Sequence, residues 1–266
     1  MSTLILRPTS DNSIAQSLSS GYDAYALVDE AVLDTGDYCQ STGAYKLNLY
    51  EFPAHTTEVG VITSITIYGY IAKFSALMTG KYKMAVKIGS TVYYTSERSA
   101  EYGSGELESE VLTKNPATGS AWTWSDIDDL IAGCTLYASS GWTRNYQFYV
   151  VVTYSAPPTV TTQACTLVKQ TTATLNGTIT ATEGNVTRRG FVYMLGTSGD
   201  PTIGGAGCTD TYEDGSWGVS VFYKNVTGLT ENTDYRVRAY AINPSGTSYG
   251  STVNLKTLGA GFFLLF

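Results

Sequence analysis

Residues 81–88 read KYKMAVKI. Tyr82, Met84, Val86 and Ile88 alternate with Lys81, Lys83 and Lys87. Only an extended backbone sends successive side chains to opposite faces, so this period of two specifies a half-buried β-strand. Gly89-Ser90 follows as a tight hairpin turn into a second strand over residues 92–96. Further strands are expected at residues 45–52 (YKLNLYEF), 61–74 (one bent strand or two), 106–111 (ELESEV, three carboxylates on the wet face) and 146–154 (YQFYVVVTY, the most central). Many strands joined by turns predict a two-sheet antiparallel sandwich, best matched by a jelly roll.

One short helix interrupts this pattern in TWSDIDDLIAG. Ser125 is the expected cap, with Asp128 three residues on. Ile127, Leu130 and Ile131 would share a face, and Gly133 would end the helix. The clearest boundary is YSAPPTV: Pro157 and Pro158 cannot donate to a sheet ladder, which places a break at Ala156. The expected organisation is a sandwich over residues 1–155, a second over 156–258, and an apolar tail over 259–266. Strands in the second are expected at residues 172–180, 189–195, 219–226, 235–243 and 247–256.

The 266 residues carry a net charge of −7, and only 15% are charged. Lys and Arg against Asp and Glu give 9 − 16 = −7 for residues 1–155 and 7 − 7 = 0 for residues 156–266. No basic stripe is present, which argues against nucleic acid and against anionic membrane surfaces as partners. No apolar run is long enough to span a bilayer, and MSTLILRPTSDNS lacks the pattern of an export leader. Cys39, Cys134, Cys165 and Cys208 match no zinc or thiol–disulfide spacing; two per domain permits one disulfide in each, and four free thiols are the preferred expectation. The 21 tyrosines suit surfaces that bind other surfaces.

Residues 157–258 resemble a fibronectin type III domain, most closely the version found in bacterial surface and phage proteins. The resemblance rests on PTVTTQACTLVKQTTATLNGTI, RRGFVYM, LTENTDYRVRAYAINPSGTSYG and VNLKTL. It implies a tyrosine corner at Leu229 and Tyr235, with core positions at Leu175, Phe191, Tyr193, Val237 and Tyr240. The second strand, TATLNGTI, lacks the Trp of animal members. STLILRP and NPATGSAWTWSDIDDLIAG resemble a group of jelly-roll proteins of tailed bacteriophages. That likeness implies a virion structural protein. Such a protein is made in the host cytoplasm and released by lysis, which reconciles an external-looking surface with a leaderless N-terminus.

Candidate chemistry is sparse. His55, the single histidine, would have to serve any Ser–His–Asp arrangement, and no nucleophile-elbow glycine pattern accompanies it. The DIDD run lacks the glycine and terminal glutamate of a calcium loop and reads as helix-start acids. No enzyme activity, metal or cofactor is expected. Trp122, Trp124 and Trp142 are candidate glycan-stacking aromatics, weighed against a place in the core. Phe262, Phe263, Leu264, Leu265 and Phe266 form a candidate docking peptide behind Gly259 and Gly261. The expected function is therefore a non-enzymatic virion protein, a capsid decoration or tail accessory protein. It would bind other virion proteins and copies of itself, with a host-surface glycan as a further candidate partner. A carbohydrate-binding or adhesive module of a bacterial surface protein is the alternative.

Overall fold

A computed structural model describes residues 1–14, 17–18, 24–103 and 106–260. The candidate docking residues Phe262–Phe266 lie outside the described residues. The chain forms two compact units. One comprises Ser2–Glu58 and Ile62–Tyr154; the other begins at Ser155 and takes in Met1 and Val59–Val61.

The first unit contains β1 (Ser2–Leu6), β2 (Ser10–Ile14), β3 (Ser17–Leu18), β4 (Cys39–Ser41), β5 (Lys46–Glu51), β6 (Val61–Lys73) and β7 (Gly80–Ile88). It continues with β8 (Thr91–Tyr94), β9 (Arg98–Ser99), β10 (Glu101–Tyr102), β11 (Glu106–Leu112), the helix α1 (Trp124–Asp128), β12 (Ile131–Ala138) and β13 (Thr143–Ser155). One sheet runs β10-β6-β13-β4-β3, with β11 also on β6 and β1 also on β13. The other runs β2-β5-β12-β7-β8, with β9 also on β7. The main strands thus follow β4-β13-β6-β11 in one layer and β5-β12-β7-β8 in the other. Early strands interleave with late ones in both layers, so long connections as well as hairpins link the sheets.

The alternation in β7 is realised: Tyr82, Met84 and Val86 are buried in the core, and the lysines are half-exposed. Gly89 makes the hairpin turn at φ 59°, where a side chain would be strained. The core joins Leu6, Ile65, Ile67, Ile71, Tyr82, Met84, Phe148, Val150 and Val152 across the two layers.

Two local expectations are corrected. The cap of α1 is Thr123, not Ser125. Its side chain accepts from the Asp126 N–H, and the Asp126 carboxylate accepts from the Thr123 N–H. The helix stops at Asp128, so Ile131 and Gly133 belong to β12. Gly133 is there because its backbone runs against β5: a Cβ would stand 1.9 Å from the Asn48 carbonyl oxygen.

The second unit contains β14 (Thr159–Thr166), β15 (Thr172–Ala181), β16 (Val186–Leu195), β17 (Cys208–Trp217), β18 (Ser220–Thr227), β19 (Asp234–Asn243), β20 (Gly246–Tyr249) and β21 (Val253–Lys256). A three-strand sheet β14-β15-β18 packs on β17-β16-β19-β20, with β21 also on β19. With β20 and β21 pairing successive stretches of β19 as one interrupted strand, this is the sandwich of a fibronectin type III-like domain. Its core holds Leu175, Ile179, Phe191, Phe222, Leu229, Tyr235, Val237 and Leu255. The Tyr235 hydroxyl accepts from the Thr230 N–H at 2.8 Å, which forms the corner. Tyr240 departs from expectation. Val237, Ala239 and Ala241 face the core, so Tyr240 lies on the opposite face of β19. It is nonetheless buried there, bonded to Asp210 and packed near Tyr249. The run expected over residues 247–256 is two strands. Gly250 ends the first, where a Cβ would stand 2.4 Å from the Thr162 nitrogen.

Candidate binding faces

The strand β11 folds the reverse way from its apparent pattern. Its register on β6 pairs Leu107 with Tyr70, Glu108 with Gly69, Ser109 with Tyr68, Glu110 with Ile67 and Val111 with Thr66. Ile67 and Ile71 face the core, so Glu108 and Glu110 share the inward face, while Leu107 and Val111 point outward. Leu107 is 47% exposed and Val111 56%. The expectation that the carboxylates would sit on the wet face is therefore corrected. The reason is local: Arg98 meets Glu110 at 2.6 Å, and Tyr82 hydrogen-bonds Glu108. Burial together with that carboxylate pushes the Tyr82 phenol well above its ordinary range. Leu112, next on the inward face, packs on the core and fixes the register.

Among the described residues, the inversion sets a run of uncharged side chains on the outer surface across four strands. Leu107, Ser109 and Val111 of β11 stand beside Thr66, Tyr68 and Tyr70 of β6. Tyr149 and Val151 follow on β13, then Thr3 and Ile5 on β1, with Ile5 opposite Val151 and 55% exposed. The Tyr68 and Tyr149 rings stack at 4.8 Å with 12° between planes, joining β6 to β13. Arg7, the residue after β1, borders this set. Its guanidinium lies 5.2 Å from the Tyr149 ring and donates to the Asp29 and Glu30 carbonyls.

A second face surrounds Trp142, which immediately precedes β13. The Arg144 guanidinium carbon lies 3.9 Å from the Trp142 ring centroid and 3.5 Å from that of Tyr38. Two rings cannot share one face of a planar group at that range, so they cover its opposite faces. Arg144 Nε donates to Gln40 Oε1 at 2.9 Å, from the residue directly opposite on β4. Tyr38 meets Tyr146 edge-on at 5.9 Å, and Phe74 meets Trp142 edge-on at 5.5 Å. Gly141, at φ 65°, lets Phe74 approach: a Cβ there would lie 2.9 Å from the Phe74 ring.

The three candidate tryptophans do not form one platform. Trp122 is buried at 4% exposure and donates through Nε1 to the Leu112 carbonyl, so it presents no ring face to a sugar. Trp124 is half-buried on α1 against Tyr154 and His55. Trp142 sits just before β13 and Tyr154 near its end, a strand of 13 residues spanning about 40 Å. The stack at Trp142 is thus separate from the cluster at Trp124.

His55 is not a simple loop-surface residue. Its Nδ1 lies 2.6 Å from Asp128 Oδ1, its backbone N–H donates to the same oxygen, and its ring lies 4.9 Å from that of Trp124. This hydrogen bond holds the Asp128 carboxyl below its ordinary range. All four cysteines are free thiols. Burial pushes Cys39 up to about 12 and Cys165 up to about 11. Among the described residues no group of acidic, His or Cys side chains is arranged to hold a metal, and no helix is long and apolar enough to cross a membrane.

No family model and no curated protein matches the chain. Among solved structures, one similar chain is the sensor domain of the anti-sigma factor RsgI4 of Pseudobacteroides cellulosolvens. It is 14% identical with a TM-score of 0.32, covering 41% of this chain and 97% of that one. Another is the FN1–FN3 region of chicken CNTN1, 12% identical with a TM-score of 0.32, covering 84% of this chain and 66% of that one. The chain's own strand pairing makes it an all-β protein of two sandwiches.

Proposed function

We propose that the chain is a non-enzymatic structural protein of a bacteriophage virion, a capsid decoration or tail accessory protein that assembles through the outer face of the β11-β6-β13-β1 sheet. The observation that carries this reading is the inverted strand β11. It turns two carboxylates inward and two aliphatic side chains outward, giving a sheet face of Tyr, Thr, Val, Leu and Ile. An uncharged aromatic-aliphatic face is what an assembly surface needs and what a solitary sheet in water avoids. With charge at its border and uncharged side chains between, it suits a two-fold pairing with a second chain. The phage assignment itself rests on the resemblance of the STLILRP and NPATGSAWTWSDIDDLIAG segments.

Sedimentation velocity over a concentration series tests the assembly, and mass spectrometry of purified particles tests the location. The expected result is a self-associating protein that becomes monomeric, with unchanged melting, when Ile5→Lys and Val111→Lys are combined. A wild-type chain that stays monomeric and is absent from particles overturns the proposal.

The second reading, a carbohydrate-binding or adhesive module, is favoured by the Trp142–Arg144–Tyr38 stack. A glycan array on the wild-type protein and on Trp142→Ala decides it: sugar binding lost in the variant supports it, and a blank array removes it.

A further inference from the structure

We propose that Arg144 is the recognition group for a carboxylated sugar, bound beside Trp142 and Phe74. This inference rests on the carbohydrate reading and adds to it the class of ligand.

Three features make Arg144 more than a surface charge. Both faces of its guanidinium are covered by aromatic rings, at 3.5 and 3.9 Å. Its Nε is held by Gln40, which fixes rotation within the plane. The two Nη groups make no hydrogen bond or ion pair with the described residues, and neither is sealed from solvent. A guanidinium clamped on both faces and at one edge keeps two parallel N–H donors in the fork that fits a carboxylate. Most surface arginines lose side-chain entropy on binding; this one has already lost it.

The neighbours indicate what bears the carboxylate. Phe74 is 56% exposed and touches the edge of Trp142, and Leu77, three residues on, is 99% exposed. Apolar ring surface beside a fixed polar fork suits a pyranose, whose C–H face packs on an aromatic while its acidic substituent reaches the arginine. The rings also keep bulk water from both faces of the guanidinium, which strengthens each charge-assisted bond.

The test is titration calorimetry of the wild-type protein with sialyllactose and trigalacturonate. Lactose and the methyl ester of sialyllactose serve as uncharged counterparts. Binding of at least one acidic sugar with a Kd tighter than about 1 mM, weakened at least about tenfold by esterification and by Arg144→Lys, supports the proposal. The ester arm alters the ligand alone, so the outcome stands even if the variant folds poorly. Equal binding of lactose, ester and acid leaves the carbohydrate reading intact and overturns the carboxylate assignment. If none of the four binds, both fall.

Discussion

The Thr230 N–H donates to the Tyr235 hydroxyl at 2.8 Å, tying the residue after Leu229 to the start of β19. Tyr235 is 6% exposed and its ring meets Tyr193 edge-on. Tyr235→Phe keeps the packing and removes the acceptor. The expected loss is about 1–3 kcal/mol of the second unit's stability, read as a lowered urea midpoint at constant slope. A midpoint equal to wild type would show that water replaces the bond at no cost.

His55 and Asp128 give the first unit a pH dependence with a defined sign. The Asp128 carboxyl is held below its ordinary value by the hydrogen bond from His55. A depressed carboxyl contributes stability above its unfolded pKa and loses it as the pH falls through the folded one. Asp128→Asn should therefore lower the melting temperature near neutrality and converge with wild type in strong acid. Parallel curves across the whole range would dismiss the linkage.

The cysteines should label in a fixed order. Cys39 and Cys134 are wholly buried, and burial raises the Cys39 thiol to about 12, leaving almost no thiolate at pH 8. A thiol reagent at pH 8 should spare both in the native protein and reach all four after denaturation. Mass spectrometry of peptides reads the result; early modification of Cys39 would show that the first core opens locally.

Gly133→Ala tests the closest backbone approach in the first sandwich. The new methyl would sit 1.9 Å from the Asn48 carbonyl, so β5 and β12 must separate. Overpacking of this kind costs about 1–3 kcal/mol or more. The variant should melt earlier in calorimetry while the second unit's transition is unmoved.

Strands whose buried face is written in residue type were legible from the sequence. KYKMAVKI and YQFYVVVTY announce themselves because one face is apolar throughout. ELESEVL misled because polarity alone cannot tell a carboxylate facing water from one facing Arg98 and a tyrosine hydroxyl. The deciding residue was Leu112, one position beyond the expected strand. The edge strand CTDTYEDGSW was missed because neither of its faces is apolar. Of the tryptophans, Trp122 and Trp142 look alike in sequence, and only the sheet layout buries one and sets the other beside Arg144. Gln40 and Tyr38, which complete that stack, carry no signal in sequence because they lie more than a hundred residues away.

Ser2 pairs with Tyr154 and Leu6 with Val150, so the first strand of the first sandwich closes against its last. A ribosome adding about 5–20 residues each second needs roughly 8–30 seconds to pass from one to the other. Through that interval β1 has no partner, and the nascent chain must keep its apolar side chains from neighbouring polysomes. The second sandwich, whose strands lie between Thr159 and Lys256, closes over a shorter stretch. Translation speed through residues 2–154, more than the stability of the finished fold, is therefore expected to set the soluble yield.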